Sequence, residues 1–154
     1  MAVCFFDSSA LVKRYIAETG SAWIQALTAS ASGNQLYVAR ITGAEMIAAI
    51  TRRWRSGATS PSDAAAALAA FRADFNVAYF SMDVSARLVA HAMDLAEAHG
   101  LRGYDAVQLA AALELRDRCR AAGVPDPLLV GADGGLNAAA VAEGLSVDDP
   151  NGHP

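Results

Sequence analysis

The chain has few of the residues that build metal cages or disulfide frameworks. It contains only two cysteines and three histidines among 154 residues. The histidines, His91, His99 and His153, lack the spacing of zinc ligands. Cys4 and Cys119 lie far apart, in a predicted strand and a predicted helix, where cysteine is most often a small buried hydrophobe. The sequence therefore argues against a zinc site and against a disulfide-stabilised fold.

Long apolar segments are also absent. The apolar run at residues 64–70 is far shorter than the roughly 18 residues of a membrane helix. Asp7 interrupts the N-terminal apolar stretch before it reaches the length of a signal peptide. We therefore expect a cytoplasmic protein that does not enter a membrane. A composition of 54% apolar and 18% charged residues is typical of a well-packed globule.

A general surplus of positive charge is missing as well. The chain has 16 acidic and 12 basic residues, and setting aside the four acidic residues discussed below leaves equal numbers of each sign. A nucleic-acid partner would therefore need a local basic patch. Candidates for that patch are Lys13, Arg14, Arg40, Arg52, Arg53, Arg55 and Arg102. Taken alone, an arginine cluster on a helix is more often its solvated face.

Short β-rich runs alternate with helical segments along the chain. Strands are predicted at about residues 2–6, 35–39, 77–81, 127–131 and 145–147. Helices are predicted at about residues 8–17, 20–31, 42–56, 61–75, 84–99, 105–122 and 135–143. This alternation predicts an α/β fold, a three-layer α/β/α sandwich with a largely parallel central sheet. The length suits one domain, which we place at residues 1–149, before a flexible tail at 150–154.

Four acidic residues lie where a predicted strand ends or a predicted helix begins: Asp7, Glu45, Asp105 and Asp133. In open α/β sheets, ligand sites form at that edge. Each residue also has an ordinary structural explanation. Asp7 can cap the first helix, and Glu45 can close a capping box with Thr42. Asp105 can interact with the dipole at the start of its helix, and Asp133 can stabilise a turn before two glycines.

Together, the four carboxylates favour a metal site. Magnesium prefers hard oxygen ligands and keeps several waters, so an open group of carboxylates suits it. One or two such ions, about 3.5–4 Å apart in paired sites, can activate water and stabilise the leaving oxygen of a phosphodiester. The chain has no phosphate-binding glycine loop and no G-x-S-x-G nucleophile motif. If the four carboxylates converge, the sequence predicts a magnesium-dependent nuclease.

Four segments carry a resemblance to a known family. They are CFFDSSALVK at Cys4–Lys13, TGAE at Thr42–Glu45, LRGYDAVQLA at Leu101–Ala110 and ADGGL at Ala132–Leu136. Together they resemble a PIN-domain ribonuclease of the VapC toxin type over residues 2–149, and the first and third segments are the specific ones. The resemblance implies a PIN-like fold and a metal-dependent endoribonuclease that hydrolyses RNA phosphodiester bonds. It further implies the toxin of a type II toxin–antitoxin system, a homodimer held inactive by a small antitoxin.

The same resemblance implies a role for particular residues. Asp7, Glu45, Asp105 and Asp133 become catalytic ligands of Mg²⁺ or Mn²⁺, and Ser9 supports them by hydrogen bonding. The candidate RNA contacts are Arg102, Lys13 and Arg14. One position departs from the family pattern. Many relatives have a serine or threonine two residues before the last aspartate, where this chain has Gly131.

Other interpretations of the acidic residues are weaker. A receiver-type signalling domain would need a lysine near the end of a late strand, and the only lysine is Lys13. A phosphatase with an aspartyl nucleophile commonly has a second aspartate two residues after the first, and that position is Ser9. The main alternative is a catalytically inactive PIN-like module that binds protein or RNA.

Overall fold

The computed structural model describes residues 1–154. Its five strands are β1 (Val3–Phe6), β2 (Gln35–Ala39), β3 (Phe80–Met82), β4 (Leu128–Val130) and β5 (Ser146–Asp148). Its seven α-helices are α1 (Ser8–Leu11), α2 (Ser21–Thr28), α3 (Thr42–Arg55), α4 (Pro61–Phe75), α5 (Ala86–His99), α6 (Gly103–Ala121) and α7 (Gly134–Ala142). Short 3-10 helices lie at Val12–Arg14, Ser30–Ser32 and Pro150–Gly152.

All five strands form one parallel sheet in the order β3-β2-β1-β4-β5. The central strand β1 pairs with β2 on one side and with β4 on the other. The chain first moves outward through β2 to β3, and it later returns to the opposite side of β1 through β4 to β5. This reversal leaves a crevice at the carboxyl ends of the central strands, where α/β proteins bind ligands. Asp7 directly follows β1 at that point.

Two apolar clusters cover the two faces of the sheet. Phe5 and Leu129 pack with side chains from α5, α6 and α7. Phe6 and Val130 pack with side chains from α1, α2, α3 and α4. Neighbouring residues of one strand point to opposite faces, so a parallel strand covered on both sides is apolar throughout. The predicted three-layer sandwich is therefore confirmed. None of the helices combines the length and the apolar character needed to cross a membrane.

The predicted element boundaries differ from the structure in two regions. The predicted helices 8–17 and 20–31 are both shorter, and each is followed by a separate 3-10 helix. In the second case Ala29 has an extended backbone with ψ of 140°, which ends α2. The predicted strand 77–81 begins later, as β3. Its first residues form the turn that follows α4, in which the amides of Val77 and Ala78 donate hydrogen bonds to the carbonyl oxygen of Asp74.

Ser, Pro and Gly residues mark the ends of the central helices. Helices α3 and α4 form a hairpin, with the Ser60 side chain accepting a hydrogen bond at the start of α4 and Pro61 in its first turn. Gly100 ends α5 in the left-handed conformation, at φ of 64°. Asp83, near the start of α5, does not cap it. Ser85 takes that place, and its Oγ accepts a hydrogen bond from a backbone amide of the first turn.

The last residues pack against α2. Pro150 is buried, and the His153 ring stacks on Trp23 with 4.2 Å between ring centroids. Gly20, at φ of 85°, allows this approach, because a Cβ there would lie 2.2 Å from the Pro150 carbonyl oxygen. The sequence predicts a flexible tail at residues 150–154. Its mobility stays a prediction, and these contacts are the ones that would restrict it.

Candidate metal centre

The four predicted carboxylates line one small cavity at the carboxyl edge of the sheet. Asp7 follows β1, Glu45 and Asp105 lie in the first turns of α3 and α6, and Asp133 caps α7. The cavity has a volume of about 240 Å³. Its lining consists of Asp7, Ser8, Ser9, Glu45, Arg52, Arg102, Tyr104, Asp105 and Asp133. The structure therefore brings the four acidic residues together, and their role as ligands stays a prediction.

Asp7 is a buried carboxylate without a cation. It is 3% exposed. Its Oδ2 accepts hydrogen bonds from the backbone N of Ser9, at 3.1 Å, and from Ser9 Oγ, at 2.5 Å. Burial raises the pKa of Asp7, the Ser9 hydrogen bonds lower it, and the negative charge of Asp105 raises it again, so that the pKa lies above its ordinary value.

Glu45 is in the same electrostatic position. Its Oε1 accepts a hydrogen bond from Gln108 Nε2 at 2.5 Å, and its Oε2 accepts one from Ser8 Oγ at 3.3 Å. Burial raises the pKa of Glu45 to about 6, although the Gln108 hydrogen bond lowers it and the charge of Asp7 adds to the rise. The side-chain hydrogen bonds of Asp7 and Glu45 come only from neutral donors, and the charge of Arg102 acts on Asp7 without a direct contact. We refer to Asp7 and Glu45 as the inner pair.

Asp105 and Asp133, the outer pair, share one arginine. Arg102 Nε donates a hydrogen bond to Asp105 Oδ2 at 3.0 Å, and its Nη2 donates one to Asp133 Oδ2 at 3.2 Å. Asp133 Oδ1 also accepts a hydrogen bond from the backbone N of Leu136 at 2.9 Å, as the cap of α7. The protein itself thus supplies one positive charge to the outer pair and a backbone hydrogen bond to Asp133.

Ser9 connects the two halves of the cavity. Besides donating to Asp7, Ser9 Oγ accepts a hydrogen bond from the backbone N of Ala132 at 2.9 Å. Ala132 immediately precedes Asp133, so the turn after β1 and the loop after β4 are tied together by one hydroxyl. This geometry is what the predicted supporting role of Ser9 requires.

The side chains do not form a closed cage. No group of three or more acidic, histidine or cysteine side chains is arranged to hold an ion as it stands, even though four carboxylates share the cavity. Magnesium does not need such a cage, because it keeps several waters and binds through one or two carboxylates. The inner pair is the feature of the cavity that suits a bound cation. A buried carboxylate beside a half-buried one is costly unless a positive charge joins them.

Gln108 is a site residue that sequence reasoning missed. It is fully buried, and its Nε2 donates hydrogen bonds to Thr42 Oγ1, at 2.9 Å, and to Glu45. A signal for it exists in the sequence, because its i+3 spacing from Asp105 places both residues on one face of α6. The suggested capping box of Thr42 and Glu45 does not form. Ile41 is the N-cap of α3 and makes no side-chain cap bond.

An asparagine fills the space beside Gly131. A Cβ on Gly131 would lie 2.6 Å from Asn137 Oδ1. Asn137 Nδ2 donates a hydrogen bond to the Gly131 carbonyl oxygen at 2.8 Å. The hydroxyl that many relatives have at position 131 is therefore replaced here by a carboxamide from α7. Nothing in the sequence distinguishes Asn137 from an ordinary polar helix residue.

Two of the three predicted RNA contacts lie outside the cavity. Lys13 is buried, and its Nζ lies 3.3 Å from Glu18 Oε2. Arg14 donates a hydrogen bond to Tyr79 at 2.8 Å and pairs with Asp74 at 3.2 Å. Both charges are thus satisfied inside the protein, which argues against a contact with RNA. Arg102 alone of the three lies at the cavity.

A larger groove lies beside the cavity, between α3 and α4. It has a volume of about 890 Å³, and Arg52 lines both it and the acidic cavity. Its other lining arginines are Arg40, Arg55 and Arg72, and no acidic residue is in the lining. This is the kind of local basic patch that a chain without a surplus of positive charge would need to bind a polyanion. Arg72, on α4, is the member that the sequence did not single out.

Comparison with known proteins identifies related sequences. The family model of the PIN domain matches residues 4–119. Two similar proteins are ribonuclease VapC45 of Mycobacterium tuberculosis strain CDC 1551 / Oshkosh and ribonuclease VapC49 of Mycobacterium tuberculosis strain ATCC 25618 / H37Rv. Each is 36% identical to this chain over 117 residues, which span 76% of this chain and 79% of the relative.

Two solved structures share the fold. PAE2754 from Pyrobaculum aerophilum has a TM-score of 0.62 and 18% sequence identity, and the alignment covers 98% of this chain and 91% of that one. VapBC2 from Rickettsia felis, bound to a DNA fragment from their promoter, has a TM-score of 0.58 and 14% identity, with coverage of 96% and 98%. Both likenesses concern the arrangement of strands and helices.

Proposed function

This chain belongs to the PIN-domain family, and we propose that it is a metal-dependent endoribonuclease, the toxin of a type II toxin–antitoxin system. The observation that carries the proposal is the inner pair. Asp7 and Glu45 are carboxylates withdrawn from water without a cation, beside two further carboxylates at the switch point of the sheet. The relatives at 36% identity are ribonucleases, which supports RNA as the substrate.

The four carboxylates would hold Mg²⁺ or Mn²⁺. Such an ion supplies positive charge that lowers the pKa of water and stabilises the phosphate in the transition state. The protein orients the ligands. Ser9 holds Asp7 Oδ2, while Gln108 and Ser8 hold the two oxygens of Glu45. These second contacts fix where the charges lie before substrate arrives, which is what such partners do in metal sites generally.

The groove between α3 and α4 would bind the RNA backbone next to the site. Arg52 is exposed and lines both the acidic cavity and the groove, so it connects the cavity to the other arginines of the groove. Arginine binds phosphate oxygens through two parallel N–H donors. Hydrolysis breaks the P–O3′ bond, adds the oxygen of water to phosphorus and delivers a proton to O3′. The products would be a 5′ phosphate and a 3′ hydroxyl, whereas a 2′,3′-cyclic phosphate would contradict this route.

The VapC relationship also supports a partner. We infer that a small antitoxin protein holds this chain inactive in the cytoplasm, and that the chain acts as a homodimer. A small open reading frame directly upstream of its gene would support the antitoxin, and the mass of the purified protein in solution tests the dimer.

Cleavage of total RNA by the purified, partner-free protein tests the proposal. Discrete cuts are expected with Mg²⁺ or Mn²⁺, and they should disappear with EDTA and in Asp105→Asn. Arg120→Gln is the matched control, because Arg120 is an exposed arginine of α6 that pairs with Asp126, away from the cavity. Cuts that survive Asp105→Asn would contradict the site. A protein that binds the metal and RNA and cuts nothing would be the inactive binding module.

A further inference from the structure

One arginine already occupies the position of a cation at the outer pair. Arg102 immediately precedes α6, and its guanidinium contacts Asp105 Oδ2 and Asp133 Oδ2 at 3.0 Å and 3.2 Å. A guanidinium keeps its charge at all ordinary pH values and presents several donors in one plane, so it can bridge two carboxylates. The inner pair has no such bridge, because its side-chain hydrogen bonds come from neutral donors. One positive charge therefore already lies between two of the four carboxylates before any ion enters the cavity.

This bridge is easy to break. The Arg102 side chain is 79% exposed, while those of Asp105 and Asp133 are 16% and 31% exposed. Its hydrogen bonds are only those to the two aspartates. Ion pairs at exposed positions are weak, and salt screens them. Arg102 can therefore leave the outer pair at little cost.

A divalent ion and Arg102 would compete for the same oxygens. The hydrogen-bonded atoms are the Oδ2 atoms of both aspartates, and Asp133 Oδ1 is already used by the helix cap. An ion bound to these carboxylates removes the negative charge that attracts the guanidinium, and its own positive charge repels it. The freed side chain would remain next to the cavity, where an RNA phosphate offers it a new partner.

We propose that Arg102 is a displaceable internal cation, which bridges Asp105 and Asp133 in the metal-free protein and moves to an RNA phosphate when the ion binds. The inference rests on the proposed function, because it assumes that the outer pair meets a divalent ion and RNA. The inference adds that Arg102 and the divalent ion compete for the same two aspartates. Loss of Arg102 should change metal affinity and RNA affinity in opposite directions, which neither a purely structural nor a purely RNA-binding arginine would do.

The test compares Arg102→Gln and Arg102→Lys with wild type and with Arg120→Gln. The first readout is the binding of Mn²⁺ alone to metal-free protein. It is monitored through the electron paramagnetic resonance signal of the free ion. The second is the anisotropy of a labelled single-stranded RNA over a range of salt concentrations with Mn²⁺ present, with gels to verify that the RNA is intact. Arg102 is exposed, so its variants are expected to fold.

Arg102→Gln should bind Mn²⁺ roughly two- to fivefold more tightly, the range set by a weak exposed ion pair. Its RNA binding should be weaker, with the slope of log affinity against log salt reduced by about 0.7, the value for one phosphate contact to a single strand. Arg102→Lys should lie between, because an ammonium group bridges two carboxylates poorly. Arg120→Gln should match wild type in both readouts.

The outcomes separate this inference from the proposed function. If wild type binds Mn²⁺ and Arg102→Gln binds it equally or less tightly, the internal cation is overturned while the metal site stands. If Arg102→Gln binds Mn²⁺ more tightly but retains the RNA affinity and salt slope of wild type, the transfer to phosphate is overturned. If wild type binds no Mn²⁺, both proposals fail together.

Discussion

The inner and outer pairs carry the same kind of side chain, and the protein treats their charges in opposite ways. Asp7 and Glu45 are withdrawn from water, and their pKa values are raised with no cation to offset them. Asp105 and Asp133 share Arg102. We therefore base the proposed metal site on the unsatisfied charge of the inner pair and not on the number of carboxylates. Stability is given up at the inner pair, as is common at functional sites.

The location of each pair explains the difference. Asp7 directly follows the central strand β1 and is 3% exposed, whereas Asp133 caps α7 and its side chain is 31% exposed. A cap position satisfies one carboxylate oxygen by a backbone amide and leaves the other near solvent, where an arginine can reach it. The following variants test whether the two pairs really differ in this way.

The largest effect is expected for Asp7→Asn. RNA cleavage should fall by at least ~100-fold, since even the partners of metal ligands are worth 10–100-fold. Thermal unfolding of the metal-free protein should move to a higher temperature, because a buried charge is removed. Asp133→Asn should reduce cleavage as well but should not stabilise, because it removes a charge that Arg102 already neutralises. Equal stabilisation by both variants would contradict the claim that only the inner pair carries an unpaired charge.

Gln108→Leu should reduce metal binding at the inner pair, although Gln108 is not itself a proposed ligand. Loss of its hydrogen bond to Glu45 is expected to lower Mn²⁺ affinity by about 10–100-fold, the usual range for a residue that orients a metal ligand. Thr42→Ala is the control, since it removes only the other hydrogen-bond partner of Gln108. If Thr42→Ala lowers Mn²⁺ affinity as much as Gln108→Leu does, the role of Gln108 is packing.

Gly131→Ser tests the loop that carries the outer pair. A Cβ at this position meets Asn137 Oδ1 at 2.6 Å, so the free energy of unfolding should fall by about 1–3 kcal/mol, as for other overpacked sites. Asn137→Ala in the same chain should restore part of the loss, because it vacates that space. Urea unfolding of the single and double variants measures the coupling. Purely additive losses would mean that Asn137 and position 131 do not compete for space.

The smallest effect concerns pH. The folded pKa of Glu45, about 6, lies above its ordinary value of 4.5, so the folded state holds this proton more tightly than the unfolded state. The resulting stabilisation is fully present below pH 4.5 and is lost as pH rises through about 6. Because Glu45 is only partly buried, we expect a difference on the order of 1 kcal/mol after solvent screening. Glu45→Gln in metal-free protein should lack this dependence; an unchanged pH profile would contradict the assignment.

The strand ends and the parallel sheet could be predicted from apolar runs and their spacing, and they placed Asp7 and Asp133 at the same edge. Periodicity does not report which helix covers which face of the sheet. The prediction that Asp105 lies beside them therefore depended on family resemblance. For the same reason, the sequence did not predict that Lys13 is buried in an ion pair with Glu18. The bridge made by Arg102 needs side chains from α7 and the start of α6 to meet, which no local pattern encodes.

The most direct test of the account is the thermal unfolding of metal-free protein as Mn²⁺ is added. A ligand that binds only the folded state raises the midpoint steadily with its concentration. Wild type should show this rise, and Asp7→Asn, despite its higher starting midpoint, should show little or none. A wild-type midpoint that does not move with Mn²⁺, or an Asp7→Asn midpoint that rises equally, would contradict the claim that the inner pair binds a divalent ion.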